Sequence, residues 1–217
     1  MIRVEFHCHS IFSHDSLVSI DGLYSASKDK QIDRVIITDH NRIDGALMAH
    51  NIFPDIFIVG EEVMTTEGEI LAAFVKEVVP KGLTPTETIN KLRDQGAFIW
   101  VPHPFDKSRS GSWDLDELKK IAPLVDAIEV FNSRCIKNDY NRLAENFAKK
   151  YSLQEIVGSD AHSTYELGRS TLFLPDFNDA HELRQSLTNA RQDVNLTPFW
   201  VHFMSTWAKL KKKYIQA

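Results

Sequence analysis

Short apolar runs punctuate this chain every few dozen residues, and between them the apolar positions change to a helical spacing. The runs predict strands over residues 3–7, 34–38, 56–60, 70–75, 98–101, 127–131, 155–158 and 171–174. The stretches between them predict helices over 21–31, with Leu23 and Ala26 on the apolar face, and over 86–94, with Ile89 and Leu92. Two more are predicted over 138–150, through Leu143, Ala144, Phe147 and Ala148, and over 179–190, through Leu183 and Leu187. Thr84-Pro85-Thr86-Glu87 opens the second helix with a threonine cap, a first-turn proline and an acidic first turn. Strands separated by helical crossovers read as parallel β/α units. No internal repeat, low-complexity segment or linker breaks the pattern. One α/β domain, a β/α barrel over residues 1–195, is therefore expected, followed by a tail over 196–217. The tail spaces Phe199, Phe203 and Trp207 four apart and ends with Lys209, Lys211, Lys212 and Lys213. It is expected to be an amphipathic helix packed on or beside the barrel, its lysines at the favourable C-terminal end. A dimer contact and an interfacial membrane helix are the other readings of this tail.

Composition narrows the classes. A chain of 217 residues, 43% apolar, is long enough for one closed core. A formal charge of −5 argues against a general nucleic-acid scaffold. No apolar run approaches the roughly 18 residues that span a bilayer, and the first strand begins with no signal-peptide apolar region before it. The two cysteines, Cys8 and Cys135, make no disulfide framework. A cytoplasmic location is expected.

The chemistry gathers at strand ends. His7-Cys8-His9 closes the first run; alternation along a strand turns His7 and His9 to one side, about 6–7 Å apart, and Cys8 to the other, toward the core. Two imidazoles so placed can grip one divalent cation. Four more groups of ligand-type residues each follow a predicted strand: Asp39-His40, Glu61-Glu62, His103 and Asp160 with His162. Five of the nine histidines lie in these places. Helix capping explains Asp39 or Asp160 singly, but not five histidines at strand ends. In a parallel barrel those ends share one mouth, where active sites are built.

The ordered motifs His7-Cys8-His9-Ser10 with Ser13, Asp15 and Ser16, then Thr38-Asp39-His40, Gly60-Glu61-Glu62, Glu67-Gly68-Glu69-Ile70-Leu71, His103-Pro104-Phe105, Ile128 to Asn132 and Gly158 to His162 together resemble the polymerase and histidinol phosphatase (PHP) family. The resemblance runs from residue 1 to about 190 and is closest to small stand-alone members. It implies a distorted (β/α)7 barrel that holds two or three divalent metals and hydrolyses phosphate esters. Carried over by position, it implies His7, His9, Glu62 and Asp160 around a first metal, and Asp15, His40 and His162 around a second. Glu62 would bridge to a third completed by His103 and Glu69. Many members have histidine where this chain has Glu69, an added negative charge with a preference for harder ions. Asp15 and His162 are the residues assigned a direct part in catalysis.

The implied chemistry is attack on phosphorus by a hydroxide shared between metals, with charge on the phosphoryl oxygens met by metals and nearby cations. Arg109 in the loop after His103, Arg134 after Asn132, and Arg169 after Gly168 are the candidate phosphate contacts. Glu129 and Asn132 are expected at the mouth, with Glu129 also able to satisfy a backbone donor. His14 is read as a bystander, and His50, His181 and His202 are assigned no chemistry. Imidazole and carboxylate ligands without thiolate suit zinc, manganese or iron. The expected partner is a small phosphorylated substrate, with nucleic acid possible but not favoured. Two rival readings are an amidohydrolase-type metal hydrolase and a non-catalytic metal-stabilised interaction module. Against the former, no strand-end lysine is evident for a bridging carbamate.

Overall fold

The chain enters its sheet at once, with β1 (Ile2–Cys8), and the computed structural model describes residues 1–215. Then follow α1 (Ile20–Asp29), β2 (Arg34–Ile37), α2 (Asp44–Ile52), β3 (Phe57–Met64), β4 (Glu69–Ala73), α3 (Pro85–Asp94) and β5 (Phe98–Val101). The second half holds α4 (Leu115–Ile121), β6 (Ala127–Asn132), α5 (Asn138–Tyr151), β7 (Gln154–Gly158), β8 (Ser170–Leu174), α6 (Ala180–Ser186), β9 (Arg191–Val194) and α7 (Val201–Ile215). The sheet order is β7-β6-β5-β4-β3-β2-β1-β8-β9. The β7 end of that order comes back against β1. Ala161, just past β7, donates to the His7 carbonyl at 3.2 Å and accepts from His9 N–H at 2.8 Å, so the sheet nearly closes into a barrel. Phe6 of β1 meets Trp100 of β5 edge to face at 6.1 Å, joining walls that are not neighbours in the sheet.

The alternation is less regular than seven parallel β/α units. Neighbours β1–β2, β2–β3, β5–β6 and β6–β7 are parallel, but β4 runs antiparallel to both β3 and β5. No helix joins β3 to β4, because that pair is a hairpin whose register runs from Gly60 opposite Ala73 to Met64 opposite Glu69. This hairpin carries β3 past the expected end at residue 60 and puts Glu62 and Glu69 on adjacent strands. The strands β8 and β9 add antiparallel to the β1 edge.

Local signals mostly do what they predict. The Thr84 side chain accepts from Glu87 N–H and Glu87 bonds back to Thr84, a full capping box at the start of α3. The helix expected over 179–190 stops at Ser186 and tightens into a 3-10 turn, Leu187–Asn189, before β9. Helix α7 borders the mouth, where His202, Ser205, Thr206 and Lys209 line the cavity and Lys212 donates to carbonyls of the loop after β1. Residues 216–217 of the tail lie outside the described residues. Among the described residues, no helix is long and apolar enough to cross a membrane.

Candidate metal centre

The strand ends bring His7, His9, Asp15, His40, Glu62, Glu69, His103, Asp160 and His162 into one buried cluster. His7 and His9 share a direction, their ring centres 5.2 Å apart, while Cys8 turns to the Ile36 carbonyl. His7 and His9 Nε2 lie 3.6 and 3.3 Å from Asp160 Oδ1, and 3.5 and 3.4 Å from Glu62 Oε2. Asp15 Oδ2 stands 3.4 Å from His40 Nε2 and 3.2 Å from His162 Nε2. On the β3–β4 side, His103 Nε2 lies 3.4 Å from Glu62 Oε1 and 3.7 Å from Glu69 Oε2. His40 is shared: its Nδ1 faces Glu62 at 3.1 Å and Glu69 at 3.6 Å.

A metal fits this donor set. His7 Nε2, both ring nitrogens of His9, both carboxylate oxygens of Glu62 and His103 Nδ1 are buried with no hydrogen-bond partner. Leaving a buried polar atom unpaired costs about 1–3 kcal/mol each, and where His7 Nε2 and His9 Nε2 meet Glu62 Oε2, at 3.5 and 3.4 Å, the orphans mark the place of a cation. The supporting bonds point the same way. His7 Nδ1 lies 3.1 Å from Glu129 Oε1. A proton on Nδ1 donated to that carboxylate leaves Nε2 bare for a metal. Glu129 Oε2 accepts from His103 N–H at 2.8 Å and from Asn132 Nδ2 at 2.9 Å, the backbone role foreseen for it. Asp39 stays out of the cluster, accepting from Ser10 N–H at 2.7 Å and so holding the loop after β1. Glu61 turns away too, toward Val79 N–H at 3.0 Å, and burial raises its carboxyl to about 7.

The electrostatics show how tightly the charges depend on one another. Burial alone would push the Asp160 carboxyl up, but Arg109 and His7 hold it well below the usual range. Glu62 is likewise held low against its burial by His40 and His7. His7 and His40 are raised despite burial by the carboxylates around them, His40 to about 10. Glu69 is raised, by burial and then by the Glu62 charge beside it. Two carboxylates so close stay ionised together only if a cation lies between them.

A cavity of about 660 Å³ opens over the cluster, and Arg109, Arg134, Lys81, Ser108, Ser110 and Asn41 contribute to its wall. Arg109 is ion-paired with Asp160, with its Nε 3.1 Å from Asp106 Oδ2. Buried Arg134 contacts the His162 ring and lies 3.2 Å from Glu166. The third expected arginine is elsewhere: Arg169 lies over the Tyr165 ring, 4.8 Å from its centre, and does not line the cavity. His14 is at the rim, 3.8 Å from Asp15; His50 bonds the Phe57 carbonyl and His181 lies beside Gln185. Glu5, Glu166, Ser205 and Thr206 were not expected at the site, and His202, assigned no chemistry, and Lys209, placed only in the tail's basic end, also line the cavity or support it. Glu5 carried a signal, as an acid two residues before His7 in an apolar run. The α7 residues carried none, since nothing local says which surface a helix will cover.

Comparison with known proteins follows this geometry. A family model described as PHP-associated matches residues 138–191. The uncharacterised protein MJ0417 of Methanocaldococcus jannaschii is 34% identical over 180 residues, 82% of this chain and 72% of that protein. A second from the same organism, MJ1587, is 32% identical over 162 residues, 67% of this chain and 90% of its own. Among solved structures, a two-domain Bacteroides vulgatus protein containing a predicted PHP-like metal-dependent phosphoesterase superposes with a TM-score of 0.71 at 19% identity. The match covers 89% of this chain and 65% of that one, just under two thirds of its length. The lesion-specific endonuclease PfuEndoQ of Pyrococcus furiosus gives 0.60 at 15% identity, over 88% and 57% of the two chains. An amidohydrolase of Chromobacterium violaceum gives 0.60 at 14%, over 87% and 97%. At these identities the structural likenesses speak for the fold alone.

Proposed function

The chain belongs to the polymerase and histidinol phosphatase family, and on that premise we propose that it is a metal-dependent phosphoesterase acting on a small phosphomonoester or nucleotide. The observation that carries this reading is the meeting of unpartnered buried atoms, with His7 Nε2 and His9 Nε2 at 3.5 and 3.4 Å from Glu62 Oε2, beside an open cavity lined by arginine and lysine. His7, His9, Glu62 and Asp160 would hold one metal, Asp15, His40 and His162 a second, and His103 with Glu62 and Glu69 a third. Zinc, manganese or iron suits this donor set. When bound, such metals supply Lewis acidity and activate a water near neutral pH.

The chain's own residues do the rest. Glu129 fixes the His7 tautomer. Asp106 anchors Arg109 by its Nε, which leaves the terminal nitrogens free to turn from Asp160 to a phosphoryl oxygen once a metal takes that carboxylate. Arg134, braced by Glu166 and in contact with the His162 ring, lines the same cavity. Asp15 and His162 line the cavity and are the pair proposed to act at the reacting group. The cavity volume suits a small ligand or a chain end.

The amidohydrolase reading has the fold in its favour, but the lysines lining the cavity among the described residues, Lys81 and Lys209, are exposed. Neither is sheltered as a carbamate bridging two buried metals would be. Turnover of an aryl phosphate with added manganese or zinc, abolished by a chelator, is the expected result. Turnover of an amide but no phosphate ester would sink the proposal.

A further inference from the structure

We propose that α7 is the leaving-group wall of this site: Phe199 and His202 receive a flat, unsaturated ring on the ester's alcohol, and Lys209 reaches the phosphoryl group. This rests on the phosphoesterase reading above. Three ties hold the helix over the mouth. Thr197 donates to the Ser133 carbonyl through its N–H at 2.8 Å and its hydroxyl at 2.6 Å. Arg134 donates to Ser205 Oγ at 2.8 Å. The Lys212 ammonium donates to the carbonyls of Ile11 and Ser13, in the loop that carries Asp15. The wall is therefore fixed by the same segments that present Asp15, Arg134 and His162.

Val201, Ser205 and Ala208 form the buried face of α7. One turn around, His202, Thr206 and Lys209 fall at helical spacing and line the cavity. Phe199 completes the wall, its ring centre 5.6 Å from that of His202 and tilted by 50°. It is 63% exposed, an apolar ring left open at the lip of a charged cavity. Burial, with the Arg134 and Arg109 charges, pushes the His202 imidazole below its ordinary value, so it offers a neutral ring beside Phe199. Deeper in, Lys209 Nζ lies 3.6 Å from Asp15 Oδ2. The cavity is thus divided, with charge at the floor and an aromatic pair at the lip. Only an ester whose alcohol carries a ring uses both parts.

The test is calorimetric titration of the metal-loaded protein with phenylphosphonate and methylphosphonate, both proof against hydrolysis. Wild type is expected to bind the phenyl compound about tenfold more tightly. Phe199→Ala and His202→Ala should bring that ratio to within about twofold of unity, with metal content by elemental analysis unchanged and Phe199→Tyr restoring it. Lys209→Met should weaken both ligands alike, by roughly tenfold. Trp207→Ala, on an exposed face of α7 away from the cavity, should change nothing. A wild-type ratio near one, or a ratio that survives Phe199→Ala, overturns the wall while methylphosphonate binding leaves the phosphoesterase reading standing. Failure of both phosphonates to bind overturns that reading, and the wall with it.

Discussion

Replacing Glu129 by glutamine changes one atom's chemistry and almost no volume, and it should loosen the metal held by His7. The carboxylate has two tasks. Oε2 accepts from the buried His103 N–H at 2.8 Å and from Asn132 Nδ2 at 2.9 Å, while Oε1 faces His7 Nδ1 at 3.1 Å. Glutamine has a single acceptor oxygen. Two donors already require it at the Oε2 position, so the amide NH2 must face His7. That donor forces the imidazole to accept at Nδ1 and carry its proton on Nε2, the nitrogen that points to Glu62 and Asp160. A protonated Nε2 cannot ligate. Loss of a carboxylate behind a metal-bound histidine costs 10–100-fold in affinity as an order of magnitude, or about 1.4–2.7 kcal/mol. Fold stability should change little, because every donor keeps an acceptor.

The assay is competition for zinc against a chromophoric chelator, with urea unfolding of the metal-free protein as the control. An E129Q protein that holds its tightest metal as firmly as wild type would refute the tautomer argument. The His7–Glu129 pair would then be a packing contact.

Other substitutions probe the remaining parts. Asp160→Ala should remove one metal per chain by elemental analysis and lower turnover by at least roughly 10²-fold, with the urea midpoint nearly kept; normal metal content and turnover would end the two-metal reading. Gly111→Ala should expel Glu69, because a Cβ there would lie 1.8 Å from Glu69 Oε2 while Glu69 N–H is bonded to the Gly111 carbonyl. Metal content should fall in that variant, and full occupancy would show that Glu69 is no ligand. Asp126 accepts from Arg184, Arg93 and Ile99 N–H, and these bonds hold its carboxyl low against the upward push of burial. A depressed value means its contribution is complete above the unfolded value near 3.9 and is lost as pH falls. Asp126→Asn should therefore cost about 1–3 kcal/mol at pH 7 in urea unfolding, and the gap to wild type should narrow below roughly pH 4. A gap independent of pH would contradict this.

The sequence announces the site more clearly than the wall around it. Histidines and carboxylates following apolar runs locate the cluster, because strand ends of one sheet must share a mouth. The direction of a strand is another matter. A short apolar run such as Ile70 to Ala73 looks alike in either sense, so the antiparallel β4 was not legible, nor was the hairpin that brings Glu69 beside Glu62. The polar strand β9, Arg191–Val194, lies at an edge with its side chains in solvent and lacks an apolar run altogether. Helices α2 and α4 are short, with too few turns to show a period. Arg169 misled for a related reason: it follows the last ligands closely in the chain, yet Tyr165 takes its guanidinium.

Two of the candidate ligands sit in backbone conformations that cost energy, and the reason connects the site to the closing of the barrel. Asp160 has φ of +52° and His103 has φ of +25°, both in the region L-residues avoid. At Asp160 both neighbours are pinned. Ser159 gives its N–H to buried Glu5 at 3.0 Å and its hydroxyl to the same carboxylate. Ala161 is bonded on both sides to the backbone of β1. The residue between has no freedom to relax, so its side chain is driven toward His7 and His9. Glu5 accepts from Gly168 N–H at 2.9 Å and His7 N–H at 3.1 Å as well, which ties the first ligand strand to the segments before β7's turn and after it. The bonds that draw the end of β7 against β1 are thus the bonds that aim Asp160. A change at buried Glu5 would disturb metal binding and barrel closure together.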